Sequence, residues 1–157
     1  MLNDASVKLG IPVVHGSIFR FEGHVTVFDP KNGPTYRDLL PEPPPPDMAP
    51  SCAEAGVLGV LPGIVGCIQA VEAIKYFLDL GDPLIGRYLA FDAQEMSFRE
   101  FKIRRDPANE ITWENRDQIK VVELTDQCMP APLEAPVASV ATSNGNSAPA
   151  GRQPVGV

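Results

Sequence analysis

Cys52 is the residue best placed to do chemistry in this sequence. It follows a proline-packed stretch and precedes a run of small and aliphatic residues, Ala53-Glu54-Ala55-Gly56-Val57-Leu58-Gly59. Reactive groups are often held this way, on a loop carried by a rigid element. Its thiolate would be a nucleophile toward an activated carbonyl. The plainer reading is a small buried hydrophobe, because reactivity needs exposure and a lowered pKa. Cys67 lies within a helical pattern and is expected in the core, and Cys128 stands far downstream. Three cysteines without CxxC spacing are neither a disulfide framework nor a zinc site. His15 and His24 could serve as paired ligands or as acid–base groups. With no carboxylate or cysteine partner evident, a structural role is the plainer reading for both. Neither GxGxxG nor GxxxxGK[ST] occurs, so no glycine-rich phosphate loop is present, and GxSxG and HExxH are absent too.

The elements that must position these groups can be read from periodicity. Residues 1–9 read as the end of a helix stopped by Gly10. Residues 13–21 and 24–28 form a hairpin about Glu22-Gly23, with Val25 and Val27 on one face and Thr26 and Phe28 on the other. Residues 29–50 have no periodicity and contain Pro41-Glu42-Pro43-Pro44-Pro45-Pro46, which favours stiff polyproline II. A loop this long inside a domain is usually functional or disordered. From Leu58 to Leu80 the pattern is helical, with Pro62 in the first turn placing the regular start near Leu61 and Gly81-Asp82-Pro83 as the stop. Ile64, Ile68, Val71, Ile74 and Leu78 form the expected inward stripe, with Glu72 and Lys75 paired on the polar side. Gly59, Gly63 and Gly66 suggest close packing against another backbone. Residues 87–92 and 97–104 make a second strand pair around Ala93-Gln94-Glu95-Met96, and residues 111–113 and 121–124 are weakly strand-like.

The chain has 157 residues, 44% hydrophobic, which suits one domain. A net charge of −7 argues against a nucleic-acid partner. Gln69, Glu72 and Lys75 interrupt the longest apolar run, so no membrane span is expected. No signal peptide is visible, and the sparse cysteines suit a cytoplasmic setting. Beyond Met129 almost no large apolar residue occurs, and a disordered tail is expected.

A family resemblance rests on particular residues. Asn3-Asp4-Ala5, His15-Gly16-Ser17-Ile18-Phe19-Arg20-Phe21-Glu22-Gly23 and Tyr36-Arg37-Asp38-Leu39 resemble the middle of a MoeB/ThiF-type (ubiquitin-activating-like) adenylyltransferase. The proline run, Ser51-Cys52-Ala53-Glu54-Ala55-Gly56-Val57-Leu58-Gly59, Gln69-Ala70-Val71-Glu72-Ala73-Ile74-Lys75, Phe91-Asp92-Ala93 and Phe98-Arg99 continue it in order. The match covers residues 1–107 and is nearest the MoeZ-like branch. It implies an α/β fold: the C-terminal half of a Rossmann-like MoeB/ThiF domain, with an antiparallel strand extension and a crossover loop. It also implies ATP-dependent activation of the C-terminal glycine of a ubiquitin-fold sulfur-carrier protein, with Mg-ATP consumed. The pathways would be molybdopterin, thiamine, cysteine or thiolated-tRNA synthesis, and Cys52 would sit at the thioester or persulfide position.

The chain departs from that pattern in three respects. The family's glycine-rich loop, ATP-contacting arginine and lysine, and catalytic aspartate precede the matching region, so this chain alone is expected not to adenylate. Many members carry two CxxC pairs; here Thr35 and Asp38 stand near the first pair and no CxxC follows Pro107, so no zinc is expected. No rhodanese domain follows. The expected organisation is a partial MoeB/ThiF domain at 1–107, a weakly structured extension at 108–128 and a tail at 129–157. Two rival expectations are a non-catalytic binding partner, in a homo- or hetero-oligomer, and an inactive remnant.

Overall fold

Alternating β-branched and aromatic residues fold residues 13–28 into a hairpin of β1 (Val13–Phe19) and β2 (Glu22–Phe28). The computed structural model describes residues 1–42 and 56–121. The pairing runs without slippage from Val13 opposite Phe28 to Phe19 opposite Glu22. The turn is therefore Arg20-Phe21, two residues earlier than the sequence suggests, with Arg20 in the left-handed region at φ 52°. Gly23 lies inside β2 for a different reason, given below for the helix. As expected, Val25 and Val27 point to one face and are buried there.

A short helix α1 (Leu2–Leu9) precedes the hairpin and stops at Gly10, whose φ of 65° needs no side chain. After β2 comes a one-turn helix α2 (Tyr36–Leu39). The long helix α3 (Leu61–Leu78) starts with proline in its first turn and ends at Asp79. The second hairpin is β3 (Arg87–Asp92) and β4 (Ser97–Lys102). Its turn is organised by Asp92, whose Oδ1 accepts the amides of Gln94 and Glu95. The four strands form one antiparallel sheet in the order β1-β2-β3-β4. Two isolated parallel bridges, Arg20 with Val57 and Val27 with Ile85, are the parallel pairing among the described residues. Residues 111–113, expected to be strand-like, form a bend, followed by a 3-10 turn at Arg116–Gln118.

Helix α3 lies across β1 and β2, and two glycines set its height. A Cβ on Gly23 would lie 2.6 Å from Val65 Cγ2, and one on Gly16 would overlap the Gln69 side chain. That side chain donates from Nε2 to the Val14 carbonyl at 3.0 Å. The core between helix and sheet is Val25, Val27, Val65 and Leu84, with Val14, Ile18, Ile68, Tyr76, Ile85 and Leu89 around it.

The inward face of α3 is not the stripe expected from sequence. Leu61 and Val65 are buried and Ile68 is half-buried, while Val71, Ile74 and Leu78 are exposed. The helix is apolar on more than one side, so periodicity alone leaves the inward face undetermined. Polar bonds settle it. Glu72 is buried: Oε2 accepts the Leu84 amide at 2.7 Å, and Oε1 lies 2.6 Å from Lys75 Nζ. Lys75 also donates to the Asp82 carbonyl at 2.7 Å. The Glu72–Lys75 pair therefore exists, but it clamps the loop into β3 instead of facing water.

Three further expectations are corrected. Cys67 is exposed, not core. Added Cβ atoms at Gly59, Gly63 and Gly66 would meet nothing within 4 Å among the described residues, so close packing does not account for them there. Finally, α3 is 18 residues long and, by length and composition alone, apolar enough to cross a membrane. Its bonds from Gln69, Glu72 and Lys75 instead fasten it to the sheet and the β3 loop. The proline run from Pro43, Cys52, Cys128 and the expected tail lie outside the described residues.

Candidate functional site

Cys52 lies between two anchored points of the described chain. Upstream, Arg37 of α2 donates from Nη1 to the Pro41 carbonyl at 2.7 Å. The same guanidinium is fixed by Asp4 of α1, at 3.3 Å from both Nε to Oδ1 and Nη2 to Oδ2. Burial raises the Asp4 carboxyl, but the bonds from Arg37 and Asn3 outweigh it and leave the pKa lowered. A charged, planar, two-point contact of this kind orients as well as attracts. Downstream, the Leu58 amide donates to the Arg20 carbonyl at 2.8 Å, and Val57 bridges to Arg20 in parallel. The turn of the first hairpin thus receives the chain as it comes out of the Cys52 segment, three residues before α3 begins. A sequence reading sees the loop and the helix; the Arg37–Asp4 and Arg20 anchors are long-range contacts with no local signal.

The sheet has a second face, away from α3, and it gathers the two histidines. His15, Ser17 and Phe19 of β1 share it with Glu22, His24, Thr26 and Phe28 of β2, by the alternation of the register. The His15 ring lies 5.5 Å from both Phe28 and Tyr36. Burial, with a smaller contribution from the His24 charge, pushes its pKa below the usual 6.5. His24 stacks on Tyr88 at 5.2 Å. It does have a carboxylate neighbour, Glu22 Oε2 at 4.0 Å from Nε2. Burial still lowers the His24 pKa against the pull of Glu22. Both rings are therefore neutral at pH 7 and packed on aromatics, which favours a structural role. Among the described residues no three His, Cys, Asp or Glu side chains gather as a metal site.

This outer face is also concave. Glu22, His24, Ala90, Phe91, Asp92, Arg99 and Phe101 line a shallow cavity of about 210 Å³. Phe101 of that lining is exposed, as is Phe19 on the same face of the sheet. The lining combines His24 and Phe101 with both charge signs, Glu22 and Asp92 against Arg99.

Comparisons with known proteins agree on one family. The model of the ThiF family matches residues 1–111. A sulfur carrier protein adenylyltransferase of Thermus thermophilus is 46% identical over 133 residues, covering 82% of this chain and 49% of the relative. A SAMP-activating enzyme E1 of Haloferax volcanii is 47% identical, covering 82% and 47%. A probable adenylyltransferase/sulfurtransferase MoeZ of Mycobacterium tuberculosis is 48% identical, covering 80% and 31%. The chain thus spans half or less of the length of these curated relatives. Among solved structures, MccB of E. coli shares the fold with a TM-score of 0.57 at 10% identity, covering 70% of this chain and 34% of that one. MccB in complex with N-formylated MccA gives a TM-score of 0.60, again at 10% identity, covering 70% and 36%. With a family model matched over residues 1–111 and a four-stranded antiparallel sheet backed by one helix in the shared fold, this chain belongs to the ThiF family.

Proposed function

We propose that this chain takes part in the ATP-dependent activation of a ubiquitin-fold sulfur-carrier protein, and that Cys52 receives the activated group. The observation that supports this most is the 46% identity to a sulfur carrier protein adenylyltransferase along 82% of the chain. The affinity for the MoeZ-like branch belongs to the same proposal, as does the reading of this chain as the C-terminal half of the domain. ATP enters as its magnesium complex, as a substrate, and no residue of this chain is assigned to it. Adenylation of the carrier's C-terminal carboxylate releases pyrophosphate and leaves an acyl-adenylate. The Cys52 thiolate then adds to that carbonyl carbon; the new C–S bond forms as the bond to the phosphate oxygen breaks, and AMP departs with the electron pair. The anchors at Arg37 and Arg20 hold the two ends of the segment that carries the thiol. The outer sheet face, with Phe19, His24 and Phe101, offers the carrier a docking surface.

The test is a reconstitution with a nucleotide-binding portion supplied from a relative, Mg-ATP, a sulfur carrier and a sulfur donor. Cys52→Ala is expected to reduce sulfur transfer at least tenfold while pyrophosphate exchange persists. Unchanged transfer would remove Cys52 from the mechanism.

A second reading is favoured by the outer side of α3. Val71, Ile74, Phe77 and Leu78 are exposed there, and Phe77 is 81% exposed. Apolar faces of this kind mark interaction surfaces. On this reading the chain is a binding subunit, and its partner is a nucleotide-binding chain or a second copy. Light scattering after size exclusion separates the readings: a monomer with Phe77 accessible to solvent contradicts the oligomer.

A further inference from the structure

Two short motifs with the same spacing, Thr35-x-x-Asp38 and Asn109-x-x-Thr112, come together beside α2. All four side chains line one cavity of about 220 Å³, with Arg105, Asp106 and Trp113. Two pairs at this spacing facing one cavity are the layout of a zinc knuckle, and the family resemblance raises that possibility. The residues do not fit a zinc ion. The cavity lining holds no thiol and no imidazole, the donors that structural zinc prefers.

The polar groups are instead spent on one another. Asp38 Oδ2 accepts from the Thr35 amide at 2.6 Å and from Thr35 Oγ1 at 3.0 Å. Asp38 Oδ1 accepts from Asn109 Nδ2 and from the Asp106 amide, each at 2.9 Å. Four donors use the acceptor capacity of one carboxylate. Asn109 Nδ2 also approaches Thr35 Oγ1 at 3.4 Å, and its Oδ1 accepts the Ile111 amide at 2.9 Å. The acceptor oxygens of Asp38 and Asn109 are thus already engaged.

We propose that Asp38, Thr35 and Asn109 form a metal-independent clasp at the position of a zinc knuckle. It ties the segment after β4 to the segment after β2 across 71 residues of sequence. The clasp seats Arg105, which donates to the carbonyls of Gly33 at 3.1 Å and Lys31 at 3.3 Å. It also orients α2, from which Arg37 reaches Pro41 at the start of the Cys52 segment. Asp38 is thus a positioning residue for that anchor, held by hydrogen bonds where relatives can use a metal.

The full chain is tested by zinc analysis and by thermal unfolding with and without a strong chelator, beside three variants. The unmodified chain is expected to hold well under one zinc per molecule and to keep its Tm in chelator. Asp38→Asn turns one acceptor into a donor facing donors and is expected to lower Tm by about 5–10 °C. Asn109→Ala, on the outer segment, is expected to lower it by roughly half as much. Both variants are expected to speed exchange of the Asp106 amide, which a merely surface role would leave alone. The variant carrying Thr35→Cys, Asp38→Cys, Asn109→Cys and Thr112→Cys is expected to take up about one zinc and to become chelator-sensitive. Stoichiometric zinc in the unmodified chain, lost in chelator with a fall in Tm, overturns the proposal. Unchanged Tm and exchange in both single variants overturns it as well. A four-cysteine chain that binds no zinc contradicts the claim that the pairs stand at knuckle positions.

Discussion

The seating of α3 on the sheet is tested most sharply at Gly23. Replacing it with alanine places a methyl group 2.6 Å from Val65 Cγ2, closer than two carbon atoms approach without something moving. Val65 is buried and belongs to the core, so its side chain has little room to give. Overpacking of this kind costs about 1–3 kcal/mol. Alanine also restricts the unfolded chain, which offsets roughly 0.4–1 kcal/mol of that cost. A net loss of about 1–2 kcal/mol is expected for Gly23→Ala, read as a lower urea midpoint with an unchanged slope. Val65→Ala leaves a void and is expected to cost about 2 kcal/mol. In the double variant the new methyl enters the space that Val65 leaves. Its loss is therefore expected to fall short of the sum by at least about 1 kcal/mol, well beyond the ~0.5 kcal/mol scatter of independent sites. A Gly23→Ala chain as stable as the original, or strict additivity with Val65→Ala, would refute the helix height described here.

Other consequences follow from the same contacts. Glu72→Ala leaves the Leu84 amide buried without an acceptor and is expected to cost about 2–4 kcal/mol, whereas Glu72→Gln keeps an acceptor and is expected to cost less, both by urea unfolding. Burial raises the Asp29 carboxyl, but bonds from the Asn32 side chain, the Lys31 amide and the Tyr76 hydroxyl outweigh it and leave the pKa lowered. Its contribution is therefore complete above the unfolded carboxylate pKa of about 3.8 and is lost as pH falls through the lower folded value. His15 and His24 are also depressed, so stability is expected to decline as pH drops below their usual 6.5, a step that His15→Gln with His24→Gln removes from the unfolding–pH profile. Cys67, being exposed, is expected to react with a maleimide in the native chain at a rate near that of the unfolded chain.

Much of the fold was legible because local signals and tertiary structure agree. Gly10 ends α1 in a left-handed conformation, β-branched alternation gives the first hairpin, and Pro62 opens α3. The failures fall where two faces of one element look alike. Residues 61–78 are apolar on more than one side, so Val71 and Ile74 read as core when Leu61, Val65 and Glu72 are the buried residues. Gly23 read as a turn because glycine marks both turns and close approaches; its role depends on Val65, 42 positions away in sequence. At the candidate site, the family resemblance was legible. The anchors on either side of Cys52 were not, since Arg37 to Asp4 and Leu58 to Arg20 pair residues that sequence separates.

The most direct measurement of the central claim is peptide mass spectrometry after the chain meets a ubiquitin-fold sulfur carrier bearing a C-terminal acyl-adenylate. The account predicts a glycyl thioester on Cys52, absent in Cys52→Ala and at least tenfold above any adduct on Cys67 or Cys128. Equal labelling of the three cysteines, or no adduct on Cys52, would contradict it.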